Sequence, residues 1–144
     1  MIEIKKFNKG NYSGIKEIEQ NMPEKYGCVY IVEYGKYIKI GYTTKPYRRI
    51  SNLKNMANYA DCEIGNVAIL PCCRNYGQIE SNLHRKYSHY RKPNTELFSL
   101  NLDDVLSEIK NLDLNSRHYE EFDTEEFYHR PPSIMDRLGY YDLI

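Results

Sequence analysis

The stretch GCVYIVEYGKYIKIGYT, residues 27–43, constrains the fold more than any other part of the chain. Two runs rich in β-branched and aromatic residues, 28–33 and 37–41, flank the turn-forming Glu-Tyr-Gly-Lys, which is the signature of a β-hairpin. A loop centred on Tyr34 and Gly35 pairs Tyr30 with Lys39, Val32 with Tyr37, Val29 with Ile40 and Ile31 with Ile38. Because side chains alternate along a strand, Val29, Ile31, Ile38 and Ile40 then share a face that can be buried. The other face sets Tyr30 beside Lys39.

The segments that follow can cover such a hairpin. In TTKPYRRISNLKNMANY, residues 43–59, Pro46 stands at a first helical position and Ile50, Leu53 and Ala57 fall on one helical side. Residues 63–70, EIGNVAIL, read as a third strand, and Gly77 to Tyr90 as a second helix with Ile79 and Leu83 inward. A short extended piece over Glu96–Leu100 precedes a helix over Asp103–Leu112, striped by Val105, Leu106, Ile109 and Leu112. The 144 residues suit one domain. The expected organisation is a polar lead-in over 1–25 with a short helix near Ile15–Gln20, a core domain over 26–112, and an acidic, aromatic extension over 113–144.

Charge separates these parts. Residues 27–101 carry eleven Lys and Arg against five Asp and Glu, whereas residues 102–144 carry four against eleven, so a formal net charge of zero hides a basic body and an acidic tail. Clustered cations gain affinity for polyanions by releasing condensed counterions. Lys45, Arg48, Lys54, Arg85, Lys86, Arg91 and Lys92 are therefore the candidate nucleic-acid contacts. In the tail, YEEFDTEEFY at 119–128 interleaves carboxylates with aromatics. It reads either as a solvated segment or as one that folds over the basic body or engages a protein partner. No apolar run approaches the roughly 20 residues of a membrane span, and the N-terminus lacks a secretory apolar segment, so the expected setting is the cytoplasm. Cys28, Cys62, Cys72 and Cys73 form neither a zinc spacing nor a disulfide framework and read as reduced thiols.

Three further residues carry chemistry. Arg49 falls on the first turns of the helix launched from the end of the hairpin. Glu80 and His84, with Tyr87 beyond them, lie at i, i+4 and i+7 on the polar side of the second helix, where a carboxylate and an imidazole can share a metal ion or a proton.

At these positions the chain resembles the GIY-YIG nuclease superfamily, and more closely its phage T5 orf172-like and MUG113-type branch. The resemblance rests on Val29-Tyr30-Ile31, on Lys39-Ile40-Gly41-Tyr42-Thr43, on Arg49 to Leu53, on Glu80-Ser81-Asn82-Leu83-His84 and on Thr95 to Leu100, and it covers about residues 26–100. It implies an α+β fold, with a small three-stranded antiparallel sheet flanked by helices, and a DNA endonuclease dependent on Mg²⁺ or Mn²⁺. Tyr30 matches the tyrosine of the first motif, Lys39 takes the place of the second motif's tyrosine, and Arg49 matches the helix arginine. Glu80 matches the metal-binding glutamate and His84 a histidine four residues later. The chain departs from the pattern at Cys28 and Lys39 and shows no counterpart of the late asparagine. The identity of the general base therefore stays open, with Tyr30 activated by a facing Lys39 as one candidate and Tyr37 as a weaker substitute for the missing tyrosine. A non-catalytic nucleic-acid-binding or protein-interaction module on the same fold is the alternative reading.

Overall fold

The computed structural model describes residues 3–110, with the backbone alone for Cys72 and Cys73; the acidic extension and Leu112 lie outside the described residues. The architecture is α+β: β1 (Lys5–Phe7), α1 (Gly14–Gln20), β2 (Gly27–Tyr34), β3 (Tyr37–Thr43), α2 (Pro46–Tyr59), β4 (Ile64–Cys73), α3 (Tyr76–Lys86), β5 (Leu97–Phe98) and α4 (Leu102–Lys110). A single 3-10 turn, Ser88–Tyr90, follows α3.

The sheet has five strands in the order β1-β4-β2-β3-β5, every neighbouring pair antiparallel, rather than the three that the sequence suggested. The two extra strands are short. Lys5–Phe7 pairs with Val67–Ile69, and Leu97–Phe98 pairs with Ile38 and Lys39. Elements of two or three residues form through backbone hydrogen bonds at a ready sheet edge and need no side-chain pattern of their own.

The hairpin keeps its faces but changes its register. Tyr34 pairs with Tyr37, Val32 with Lys39, Ile31 with Ile40 and Tyr30 with Gly41, so the central turn residues are Gly35 and Lys36 and Tyr30 does not face Lys39. The physical reason is the turn: Gly35 has φ +59°, the positive value that a type II′ hairpin requires of its first central residue. Centring the loop one residue earlier would have put Tyr34 in that conformation.

Both sheet faces are covered, which is why β2 reads as an almost continuous apolar run. Val29, Ile31, Ile38 and Ile40 pack with Ile79, Leu83 and Tyr87 of α3 and its end, Phe98, and Leu102, Val105 and Ile109 of α4. On the opposite face Cys28, Tyr30 and Val32 pack with Ile15 and Ile18 of α1 and with Ile50, Leu53 and Ala57 of α2. At about 1.5–3 kcal/mol for each large apolar side chain fully buried, these two layers dominate the favourable side of folding.

Candidate active site

The candidate residues gather on the two sides of β3 near Gly41. Tyr30 crosses from β2 and lays its ring over this residue so closely that a Cβ there would meet the Tyr30 hydroxyl and two ring carbons at once. The glycine of Lys-Ile-Gly thus has a steric cause. Tyr30 itself has no exposed surface.

On the other face, α3 runs beside the C-terminal half of β3. The ring of Tyr76 contacts that of Tyr42 at 5.4 Å between centroids, and His84, two turns later, reaches the Ile40 carbonyl oxygen at 2.7 Å. A carbonyl only accepts, so Nε2 of His84 carries the hydrogen and donates it, which leaves the Nδ1 lone pair outside this bond. Glu80 sits midway along the stripe Tyr76, Glu80, His84, and its Oε1 lies 3.8 Å from Nε2 of His84. Both side chains retain only about a tenth of their exposure (10% for Glu80, 12% for His84). β5 pairs only with Ile38 and Lys39, so among the described residues no strand lies beyond the Ile40–Thr43 segment of β3.

The electrostatics of this corner follow from burial. Desolvation holds the His84 pKa below its ordinary value, and the nearby cations of Arg91 and Lys39 push the same way. The hydrogen bond to Ile40 and the charge of Glu96 oppose them without cancelling them. Lys39 points to Glu96, with Nζ and Oε2 2.9 Å apart and side-chain exposures of 5% and 10%. The residue expected beside Tyr30 is therefore engaged in a buried ion pair and lies diagonal to Tyr30 across the hairpin.

The structure groups the sequence-derived candidates into two sets. Glu80 and His84 lie on the α3 side of β3, whereas Lys39, opposite Val32, springs from the α2 face and reaches Glu96 beside β5. Tyr30 and Arg49 lie on the α2 side. Arg49, partly buried, is on the first turn of α2, its backbone N–H donating to the Lys45 carbonyl at 3.0 Å, only a few residues past Gly41. The basic residues divide likewise. Lys45, Arg48 and Lys54 are exposed on or beside α2, while Arg85 and Lys86 close α3 on the other layer and Arg91 and Lys92 follow it. They do not share one flat patch. Several already have company: Lys86 meets Glu108 at 3.4 Å, Arg91 Nε donates to the Thr95 carbonyl at 2.6 Å, and Lys92 sits 5.1 Å from the centre of the Tyr37 ring.

Sequence reasoning passed over Glu96 and Tyr76. Glu96 stood inside a quoted motif, but its partnership with a lysine 57 residues away is a tertiary fact. Tyr76 clasps Gly27, where a Cβ would fall 2.7–2.9 Å from three of its ring atoms, so the glycine opening β2 was its only trace.

Among the described residues no three His, Cys, Asp or Glu side chains converge on one point, so no closed metal cage is present. Among the described residues no helix is long and apolar enough to cross a membrane. No curated protein and no solved structure matches the chain. The family model of the T5orf172 domain matches residues 27–113, which hold the hairpin, α2, β4, α3 and α4. By that match, which spans more than half of the chain, the chain belongs to the T5orf172 domain family, a domain compatible with a nuclease or nucleic-acid-binding role.

Proposed function

We propose that the chain is a metal-dependent endonuclease that hydrolyses phosphodiester bonds in DNA, with its site at the Gly41 edge of β3 on a GIY-YIG-like plan. The observation that carries this reading is the placement of a carboxylate, Glu80, 3.8 Å from an imidazole, His84, that is itself held to the Ile40 carbonyl of β3.

A lone carboxylate suits Mg²⁺ or Mn²⁺ better than a dedicated cage would, because such ions keep several waters and share a substrate's phosphate oxygens. Glu80 would hold the ion, which when bound would neutralise the scissile phosphate and favour departure of the leaving oxygen. His84, pinned to Ile40, sets a fixed imidazole 3.8 Å from Glu80. Arg49, on the α2 layer, offers a planar fork for the oxygens of a neighbouring phosphate. Tyr30, sealed over Gly41, acts in this reading as a positioning residue that keeps the strand edge and the start of α2 in register. The exposed cations on α2 and beyond α3 hold the flanking phosphates.

One observation favours the second reading, a nucleic-acid-binding module without catalysis: Tyr30 is fully buried and Lys39 is tied to Glu96, so neither meets solvent as a base would. Incubation of the full chain with plasmid and single-stranded DNA, with Mg²⁺ or with EDTA, separates the two. Metal-dependent nicking supports the nuclease; retention of DNA without cleavage in any divalent ion supports the module.

A further inference from the structure

A cleft of about 530 Å³ opens beside the proposed site, where β3 ends and α3 begins. Its walls are Tyr42 and Tyr76, whose rings meet at a 40° tilt. Tyr42 is 39% exposed, one of few large aromatic side chains so open among the described residues. Tyr76 is not a loose side chain. Three of its ring atoms lie nearly equidistant from where a Gly27 Cβ would be, so the ring rests flat on that glycine and forms a fixed wall.

The polar lining has a consistent character. Lys25 and Arg74 bring two cations, and the residues around the cleft include no carboxylate. The first turn of α3 holds no acidic residue either, so the positive end of the helix is not neutralised there. Asn75 and Gln78 add amides that both donate and accept hydrogen bonds. Open space over Gly77 leaves the floor bare.

From this combination we propose that the Tyr42–Tyr76 cleft is a subsite for an unpaired nucleobase, with the adjoining phosphates held by Arg74 and Lys25. Aromatic faces stack on any base, and cations beside them track the backbone, which is the common logic of single-strand recognition. A base inside a duplex has both faces covered by its neighbours and cannot enter. Tyr76 precedes Glu80 by four residues, about 6 Å along the helix axis, so a base seated here carries its own phosphate toward Glu80. The proposal rests on the nucleic-acid reading above and sharpens it: the preferred substrate is a single-stranded, frayed or flipped-out nucleotide.

The test is a binding titration of the full-length protein with a short single-stranded oligodeoxynucleotide carrying a fluorescent purine analogue. It is run in EDTA so that catalysis plays no part. Wild type is expected to quench the analogue, and the same strand annealed to its complement is expected to compete weakly. Tyr42→Ala removes one exposed wall without touching the core and is expected to weaken binding roughly 5- to 150-fold. Tyr42→Trp restores it, and Arg74→Gln weakens binding while lowering its salt dependence. Equal affinity of Tyr42→Ala and wild type, or duplex competing as well as the single strand, would overturn the subsite. Quenching that persists in a protein unable to cleave DNA would sink the nuclease reading and leave the subsite standing.

Discussion

Replacing Gly41 with alanine tests the hairpin register and the packing at the heart of the site together. The added methyl meets the hydroxyl and two ring carbons of Tyr30, and Tyr30, without exposed surface, has no solvent into which to swing. Overpacking of this kind costs about 1–3 kcal/mol, and contact with three atoms places the cost toward the upper end. Exchanging glycine for alanine in a strand returns about 0.5–1 kcal/mol of backbone entropy. The net loss is then about 2 kcal/mol, a fall in Tm of about 4–8 °C for a chain of this size. Urea unfolding with an unchanged slope is the assay. The decisive comparison is a double-mutant cycle: in a Tyr30→Ala background the methyl has room, so Gly41→Ala becomes neutral or mildly stabilising and the coupling is about 2 kcal/mol. If Tyr30 instead faced Lys39, Gly41 would lie opposite Cys28, and the two changes would be additive. Additive costs would refute the arrangement.

Two other perturbations probe the corner. Glu96→Gln leaves the buried Lys39 ammonium without its carboxylate and is expected to cost about 3–5 kcal/mol, whereas Lys39→Met with Glu96→Leu is expected to recover most of it; equal losses in both proteins by urea unfolding would show that the pair carries no special strain when broken. His84 contributes stability that depends on pH. Since burial lowers its folded pKa below the ordinary value of about 6.5, the contribution is complete above about pH 6.5 and is lost as pH falls through that value toward the lower folded pKa. His84→Asn, which can still donate to Ile40, should show a flatter decline in Tm over that acid window; parallel curves for the two proteins would remove His84 as the cause.

The parts of this fold legible in the sequence were those written in repeating patterns. Val29, Ile31, Ile38 and Ile40 alternate, so their shared burial was readable whatever the register, because a shift of pairing by two leaves faces unchanged. Ile50, Leu53 and Ala57, and Ile79 with Leu83, were likewise placed by helical spacing. The register was not, since it turns on which residue of Tyr34-Gly35-Lys36 takes the positive φ. β1 was hidden because Lys5–Phe7 is held by edge hydrogen bonds rather than by pattern, and β5 was legible as an extended piece over Glu96–Leu100 but not as a member of the sheet. For the site, Glu80 and His84 were readable as a helical pair. The link from Lys39 to Glu96, the clasp of Tyr76 on Gly27 and the separation of Arg49 from Glu80 by the sheet all depend on how distant segments meet.

The central claim, that Glu80 serves a hydrolytic site at Gly41, is tested most directly by the cleavage rate of Glu80→Gln set beside its affinity for DNA. The substitution keeps the shape of the side chain and removes its charge, so the account predicts that Mg²⁺-dependent cleavage falls by at least about a hundredfold, as for loss of a principal electrostatic group, while single-strand binding in EDTA stays within about threefold of wild type. A variant that folds, binds and cleaves at the wild-type rate would contradict the claim.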